Sequence, residues 1–194
     1  MAANSKIVLA MLVFSSSMFA QHLDFGFDFG VKGGVPFTDV LEPSGPINGL
    51  TTLTKSSDYL IGPVAELRIP FGFAIEVDGI YRGTDFRLTT NAITSTVDAH
   101  AWEVPYLAKF RFPIPLLKPF VSAGGAYRTF TDLPNNVVTP THNAVVLGGG
   151  LELRIQRLRV SGELRWLHWG SPPKNTNVVR LGQNQGEVLF GLVF

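Results

Sequence analysis

The chain has 194 residues, a formal net charge of +1 and no cysteine, which excludes disulfide bonds and cysteine-based zinc or redox sites. Only 16% of its residues are charged, against roughly 25% in typical soluble domains. With a mean hydropathy of +0.21, the chain has too few charges to cover a typical soluble surface, and its length fits one domain.

The first segment, residues 1–20, carries Lys6, then an apolar run from Ile7 to Phe14, then small residues. This run is far shorter than the roughly 20 residues of a membrane-spanning helix. The pattern is typical of a secretory signal peptide, so we expect cleavage at the end of this segment and a single mature domain of residues 21–194. Loss of Lys6 leaves equal numbers of basic and acidic residues, and a neutral chain is not expected to bind nucleic acid.

From residue 21 onward, apolar and polar residues alternate with the period of two that is typical of β-strands. The alternating runs are about as long as tilted membrane-spanning strands, roughly 9–11 residues plus overhang. In chain order these eight runs are LDFGFDFGVKGGV, YLIGPVAELRI, FAIEVDGIYRGTDF, AHAWEVPYLAKFRF, PFVSAGGAYRTF, NAVVLGGGLELRI, LRVSGELRWLHW and GQNQGEVLFGLVF.

The connections between these runs alternate between long and short. A long polar segment follows the first run, and the later connections are PFG, RLTTNAITSTVD, PIPLLK, TDLPNNVVTPTH, QR and GSPPKNTNVVRL. This asymmetry is typical of outer-membrane barrels, which have short periplasmic turns and longer extracellular loops. We therefore predict an all-β fold, an eight-stranded antiparallel up-and-down transmembrane barrel with periplasmic termini.

One face of the predicted strands is apolar and the other is charged. Acids and bases on the charged face are nearly balanced, as a closed network of buried ion pairs requires. Because an eight-stranded barrel is just wide enough for side chains to fill it, we predict a packed polar interior, with an ion path as the less favoured alternative. The predicted interior network is Glu66, Arg68, Glu76, Asp78, Arg82, Glu103, Lys109, Arg111, Glu152, Arg154, Glu163, Arg165 and Glu187.

Aromatic residues fall toward both ends of the predicted strands, which suggests two belts at the membrane interfaces. Phenylalanine dominates the short-turn end, whereas all the tyrosines and tryptophans except Tyr106 lie toward the long-loop end. The first belt is predicted from Phe71, Phe73, Phe110, Phe112, Phe120 and Phe194, and the second from Tyr59, Tyr81, Trp102, Tyr127, Trp166 and Trp169.

The ordered set of segments DFGFDFGVKGGV, EVPYLAKFRFP, KPFVSAGGAYR, GELRWLHWG and GEVLFGLVF resembles the bacterial outer-membrane β-barrel family of small OmpA/OmpX-like eight-stranded barrels. The resemblance covers essentially the whole mature chain. It implies an integral outer-membrane protein, and it brings no catalytic residues. It also implies that the last run carries a signal for the barrel-assembly machinery, on the lipid face formed by Val188, Phe190, Leu192 and Phe194.

His168 is the candidate that we considered for catalysis. Some small outer-membrane barrels modify lipid A acyl chains with Ser, His and an acid, and His168 lies near Ser171 at the long-loop end of the seventh run. The parity of the run places Glu163 on the opposite face, so a histidine within an aromatic belt is the simpler interpretation. The other three histidines show no metal-ligand spacing, and no cofactor or metal is expected.

We therefore expect a monomeric outer-membrane protein with a structural or surface-interaction role and no catalysis. Its expected contacts are outer-membrane lipid and the barrel-assembly machinery, and any extracellular partner would bind the long loops, such as Pro43–Ile47 and Pro134–Thr141. The alternative is a secreted soluble lipocalin-like barrel, with its apolar face around a ligand. A lipid A acyl-modifying enzyme that uses His168 is less favoured.

Overall fold

The protein is described by a computed structural model that covers most of the predicted strands. The described residues are 25–37, 41–42, 50–55, 59–90, 93–131, 142–170, 180–181 and 183–194. Outside them lie the predicted signal peptide (residues 1–20), the loop segments Pro43–Ile47 and Pro134–Thr141, and Ser171. Within the described ranges, no helix is long and apolar enough to cross a lipid bilayer.

Eight antiparallel strands form a closed barrel. Each strand pairs with its neighbours in the chain, and the last pairs with the first. This arrangement confirms the predicted all-β up-and-down barrel, and closure leaves the wall without an unpaired edge. The strands are β1 (Gly26–Pro36), β2 (Leu60–Arg68), β3 (Phe73–Asp78, continued as Ile80–Thr90), β4 (Ile93–Arg111), β5 (Leu117–Thr131), β6 (Asn143–Ile155), β7 (Leu158–Trp169) and β8 (Asn184–Val193).

The predicted long loop between β3 and β4 is largely strand instead. The two strands continue as a hairpin up to the pair Thr90–Ile93, well beyond the pair Leu60–Arg82 where β2 meets β3. A further short strand, Leu50–Lys55, pairs with the outer part of β3. Many residues of this segment are β-branched Thr, Ile and Val, which favour strands, and this explains why a polar composition misled the loop prediction.

Short turns join β2 to β3, β4 to β5 and β6 to β7, as predicted. Each turn holds one non-glycine residue with left-handed backbone geometry: Phe71 (φ 67°), Leu116 (φ 70°) and Gln156 (φ 56°). Side chains larger than Asn rarely adopt this geometry, because the Cβ atom crowds the following carbonyl. The end of the barrel with these turns is called the short-turn end, and the opposite end the long-loop end.

The pairing registers fix the tilt of the strands. Each strand residue pairs with one residue of the next strand. When these pairs are followed once around the barrel from position 26 of β1, they return to β1 at position 36, a shift of ten residues. With a rise of about 3.3 Å per residue and a strand spacing of about 4.8 Å, this shift corresponds to a tilt of about 40°. The circuit runs through Gly26, Arg68, Ala74, Lys109, Ser122, Gly148, Arg165, Glu187 and Pro36.

The barrel wall has its apolar face outside and its charged face inside, which is the reverse of the arrangement in a soluble barrel. Large apolar side chains point outward and are exposed, for example Phe29 (56%), Ile75 (48%) and Leu164 (61%). Charged side chains point inward and are buried, for example Arg165 and Glu187, each 1% exposed. The lipocalin-like alternative requires the opposite orientation and does not fit this structure.

Candidate functional site

Ion pairs fill the barrel interior. The described pairs join eight acids and eight bases, so the network is neutral. A buried charge without a partner is strongly unfavourable, and pairing each charge with an opposite one offsets part of the desolvation cost. Along the barrel axis the sixteen residues fall into three clusters, each with equal numbers of acids and bases.

The short-turn cluster consists of Asp28, Glu66, Glu152, Arg68, Arg111 and Arg159. Arg159 of β7 reaches across the lumen, with Nη2 2.6 Å from Asp28 Oδ2 and Nη1 2.7 Å from Glu66 Oε1. Arg111 of β4 joins the same Glu66 to Glu152 of β6, with 3.0 Å between Arg111 Nε and Glu152 Oε2. These bonds connect strands on different sides of the barrel and occupy the lumen between them.

The central cluster consists of Glu76, Asp78, Glu163, Lys32, Lys109 and Arg165. Lys32 Nζ lies 3.0 Å from Glu163 Oε2 and 3.3 Å from Asp78 Oδ2, and it also binds Glu76. Arg165 Nη2 lies 2.7 Å from Asp78 Oδ2. A Cβ atom at Gly148 would come within 2.7 Å of Glu163 Oε1, so a glycine at this position leaves room for the carboxylate. The packing here is consistent with a filled interior.

The long-loop cluster consists of Glu103, Glu187, Arg82 and Arg128. Arg82 Nε donates to Glu103 Oε1 at 2.9 Å, and Arg128 Nε lies 2.8 Å from the same oxygen. The guanidinium of Arg128 stacks 3.5 Å from the ring centre of Trp169, a close cation–π contact. Trp169 belongs to an apolar interior group with Leu107, Ala126, Ala144, Val146 and Leu167.

The structure places most of the predicted interior residues inside the barrel, with two differences. Arg68 lies near the mouth and is 24% exposed, with Nε 2.6 Å from Asp28 Oδ2. The prediction for Arg154 is wrong, because this residue lies next to the end of β6 and its exposed side chain donates to the carbonyl of Gln156 at 3.2 Å. The buried residues are Glu66, Glu76, Asp78, Arg82, Glu103, Lys109, Arg111, Glu152, Glu163, Arg165 and Glu187.

Two aromatic residues assigned to the belts lie inside the barrel. Phe120 is 2% exposed with the Lys109 ammonium 4.5 Å from its ring centre, and Trp169 is 1% exposed. Each lies two residues from another inward-facing residue, Ser122 for Phe120 and Leu167 for Trp169. The alternation of side chains along the strand therefore decides their orientation more strongly than their position near a strand end. The remaining belt residues are exposed or half-buried on the outside.

Sequence reasoning missed several interior residues. Lys32, Arg128 and Arg159 are each at most 6% exposed and make ion pairs. Arg159 shares the parity of Glu163 and Arg165, so a longer continuation of the same alternation would have found it. Lys32 is followed by two glycines and Arg128 lies three residues after a glycine pair, and these interruptions hide the period of two.

The residues of β8 that were predicted to form a lipid face point outward from the barrel. Phe190, Leu192 and Phe194 are 65%, 44% and 69% exposed, and Val188 is partly exposed on the same face. Phe194 extends the pairing with β1, since its N–H donates to the carbonyl of Phe29 at 2.9 Å and its carbonyl accepts from Phe29 at 3.2 Å.

His168 lies on the outer face at the long-loop end. Its ring stacks on Trp166, with 5.6 Å between ring centres, and its Nδ1 lies 2.9 Å from Asn184 Oδ1. His100 stacks on Tyr81 in the same manner. Glu163 is buried in the central cluster and does not reach His168. The described residues contain no group of three or more His, Cys, Asp or Glu side chains able to hold a metal ion.

The protein is similar to known proteins in its structure but not in its sequence. No family model matches the sequence, and no curated protein matches it. The structure is similar to the crystal structure of the outer membrane protein OprG from Pseudomonas aeruginosa, with a TM-score of 0.57 and 12% sequence identity over 90% of this chain and 97% of that chain. The chain has the fold of an outer-membrane β-barrel. The finer resemblance to OmpA/OmpX-like barrels stays a prediction.

Proposed function

We propose that the protein is an integral outer-membrane barrel with its short turns in the periplasm and its longer connections outside the cell. The observation that carries this proposal is the apolar outer surface. Water-soluble monomers rarely expose contiguous apolar patches above a few hundred Å², whereas large apolar side chains are exposed on every barrel strand here. A hydrocarbon environment accommodates this surface, and the ion pairs inside remain screened from lipid.

A single charge on the outer surface tests membrane insertion. Leu164 lies near the middle of β7 and Leu158 lies at its short-turn end, and both side chains face outward. In a bilayer, Leu164→Arg is expected to cost about 2–4 kcal/mol of folding free energy, and the matched Leu158→Arg about 0–1 kcal/mol. Unfolding in urea from lipid vesicles measures both values. Equal and negligible effects, or recovery of the wild-type protein in the soluble periplasm without detergent, would contradict the proposal.

We also propose a structural or surface-interaction role without catalysis, in a monomer. The engagement of Glu163 with Lys32 and Arg165 supports the non-catalytic assignment, because the Ser, His and acid arrangement considered for lipid A modification needs an acid beside His168. His168→Ala is expected to leave lipid A acylation unchanged, as mass spectrometry of extracted lipid A would record. Any external partner would contact the long connections, and a binding screen with deletions in them tests this assignment.

A further inference from the structure

A cavity of about 460 Å³ opens at the short-turn end of the barrel. Its walls come from the β2–β3 turn at Pro70–Gly72 and from the β4–β5 turn, including Ile114. Prolines on both turns stiffen these walls. The floor is closed by Arg111 of the short-turn cluster, which binds Glu66 and Glu152 above it. The cavity is therefore a vestibule that ends at the ion-pair network.

The charged residues that line this vestibule are all basic: Arg68, Arg111, Lys118 and Arg154. Arg68 and Arg111 are paired with carboxylates of the short-turn cluster. Within the described part of the chain, Lys118 and Arg154 have no carboxylate partner, although Lys118 lies directly across from Glu152 in the pairing register. Glu152 is already bound by Arg111. Two cationic side chains thus remain available at the mouth, and they favour an anion there.

The rim of the vestibule is apolar. Phe71, Phe112 and Ile114 line the cavity from the two turns and are between 41% and 59% exposed. Phe71 holds this position with positive φ, a conformation that costs of order 1–3 kcal/mol for a non-glycine residue. Strain of this kind persists where the surroundings impose it. The site therefore combines a cationic interior with an apolar edge at the level of the phenylalanine belt.

We propose that this vestibule binds the headgroup of an anionic phospholipid from the periplasmic leaflet. Lys118 and Arg154 bind the phosphate, for which guanidinium N–H groups offer a bidentate contact, and the apolar rim contacts the acyl chains. An anionic headgroup is favoured over a zwitterionic one, because an added ammonium group would lie close to the positive charges of Lys118 and Arg154. The inference rests on the proposed membrane insertion and extends it from general lipid contact to a specific lipid site.

Lipid retention tests this site. The folded barrel, purified in detergent, is titrated with phosphatidylglycerol or phosphatidylcholine, and bound lipid is counted by native mass spectrometry. We expect the wild type to retain one phosphatidylglycerol in preference to phosphatidylcholine. Lys118→Gln and Arg154→Gln are each expected to weaken this retention about fivefold, the contribution of one basic residue near an anionic lipid. Arg154→Lys keeps the charge and is expected to keep the preference.

Arg157→Gln is the matched control, since it removes the same charge from the exposed β6–β7 turn at a position that does not line the vestibule. A loss of retention with Arg157→Gln equal to that with Arg154→Gln would overturn the site, as would equal retention of both lipids by the wild type. Displacement of the lipid by millimolar inorganic phosphate would overturn the lipid assignment. A barrel that inserts into vesicles but shows no preference defeats this inference alone, whereas failure to insert defeats the proposed function as well.

Discussion

Lys32 illustrates what the barrel interior requires of a single residue. Its ammonium group forms ion pairs with three carboxylates, those of Glu76, Asp78 and Glu163, and the residue is 2% exposed. The central cluster is neutral only while Lys32 is charged. Removing one partner from a buried ion-pair group leaves an uncompensated charge, which typically costs 3–5 kcal/mol, whereas removing a matched pair of charges costs much less.

We predict that Lys32→Met destabilises the folded barrel by about 3 kcal/mol, because the central cluster is left with an excess acid. The double variant Lys32→Met/Glu76→Gln restores equal numbers of charges, and it is expected to recover a large part of the loss. Arg157→Gln, an exposed change in a turn, is expected to stay within about 0.5 kcal/mol of wild type. Urea titration of the barrel in lipid vesicles measures all three, and a double variant less stable than Lys32→Met would contradict charge balance as the cause.

The burial of single residues could be predicted from the sequence where apolar and polar residues alternate without interruption. Glu76, Asp78 and Arg82 follow one another at even spacing in β3, and all three are buried as expected. Their partners were not predictable, because alternation fixes the face of a strand but not its register with the opposite wall. The contact of Arg111 with Glu66 depends on the registers of β2 with β3 and of β3 with β4, which have no local signal in the sequence.

At the scale of elements, closure depends on the pairing of β8 with β1. The hydrogen bonds run from the pair Pro36–Glu187 to the pair Gly30–Val193 and then to Phe29 and Phe194. Phe194 therefore contributes both to the β8–β1 seam and to the outer apolar surface. The strand count and the closed order could be predicted from alternation and short turns, whereas the extended β3–β4 hairpin could not be separated from a loop by polarity.

We predict that Phe194→Ala lowers the amount of assembled barrel in the outer membrane, if the lipid face of β8 is the segment that the assembly machinery binds. Phe73→Ala is the matched control, because Phe73 is a phenylalanine of the same belt on β3 with 52% exposure. It loses a similar apolar contact with lipid but leaves β8 intact. Heat-modifiable mobility of outer-membrane fractions on gels reports the folded amount, and equal losses for the two variants would argue against a specific role of β8 in assembly.

At the scale of the whole molecule, the three clusters divide the lumen along its length. Arg111 and Arg159 cross the short-turn end, Lys32 and Arg165 the middle, and Arg128 stacks on Trp169 toward the long-loop end. Ions would have to displace paired side chains at each level, at a cost in unpaired charge.

The wild-type barrel is therefore expected to show no steady conductance in planar lipid bilayers. Shortening the lumen-crossing side chains of one level alone, as in Arg111→Ala combined with Arg159→Ala and Glu66→Ala, is expected to leave the barrel closed, because the central and long-loop clusters still cross the lumen. Reproducible ohmic steps from the unmodified protein at physiological salt would show that an open path exists beside the clusters.

The inward-facing charges also bear on how such a chain travels before it folds. A segment with Glu or Arg at successive interior positions, as in β3 with Glu76, Asp78 and Arg82, never presents the roughly 20 consecutive apolar residues that would stop it in the inner membrane as a helix. In a proposed outer-membrane protein, the residues that form ion pairs inside the folded barrel thus also keep each strand from being inserted into the inner membrane during export. Replacing the clusters with an apolar core would put that passage at risk even where it stabilised the folded state.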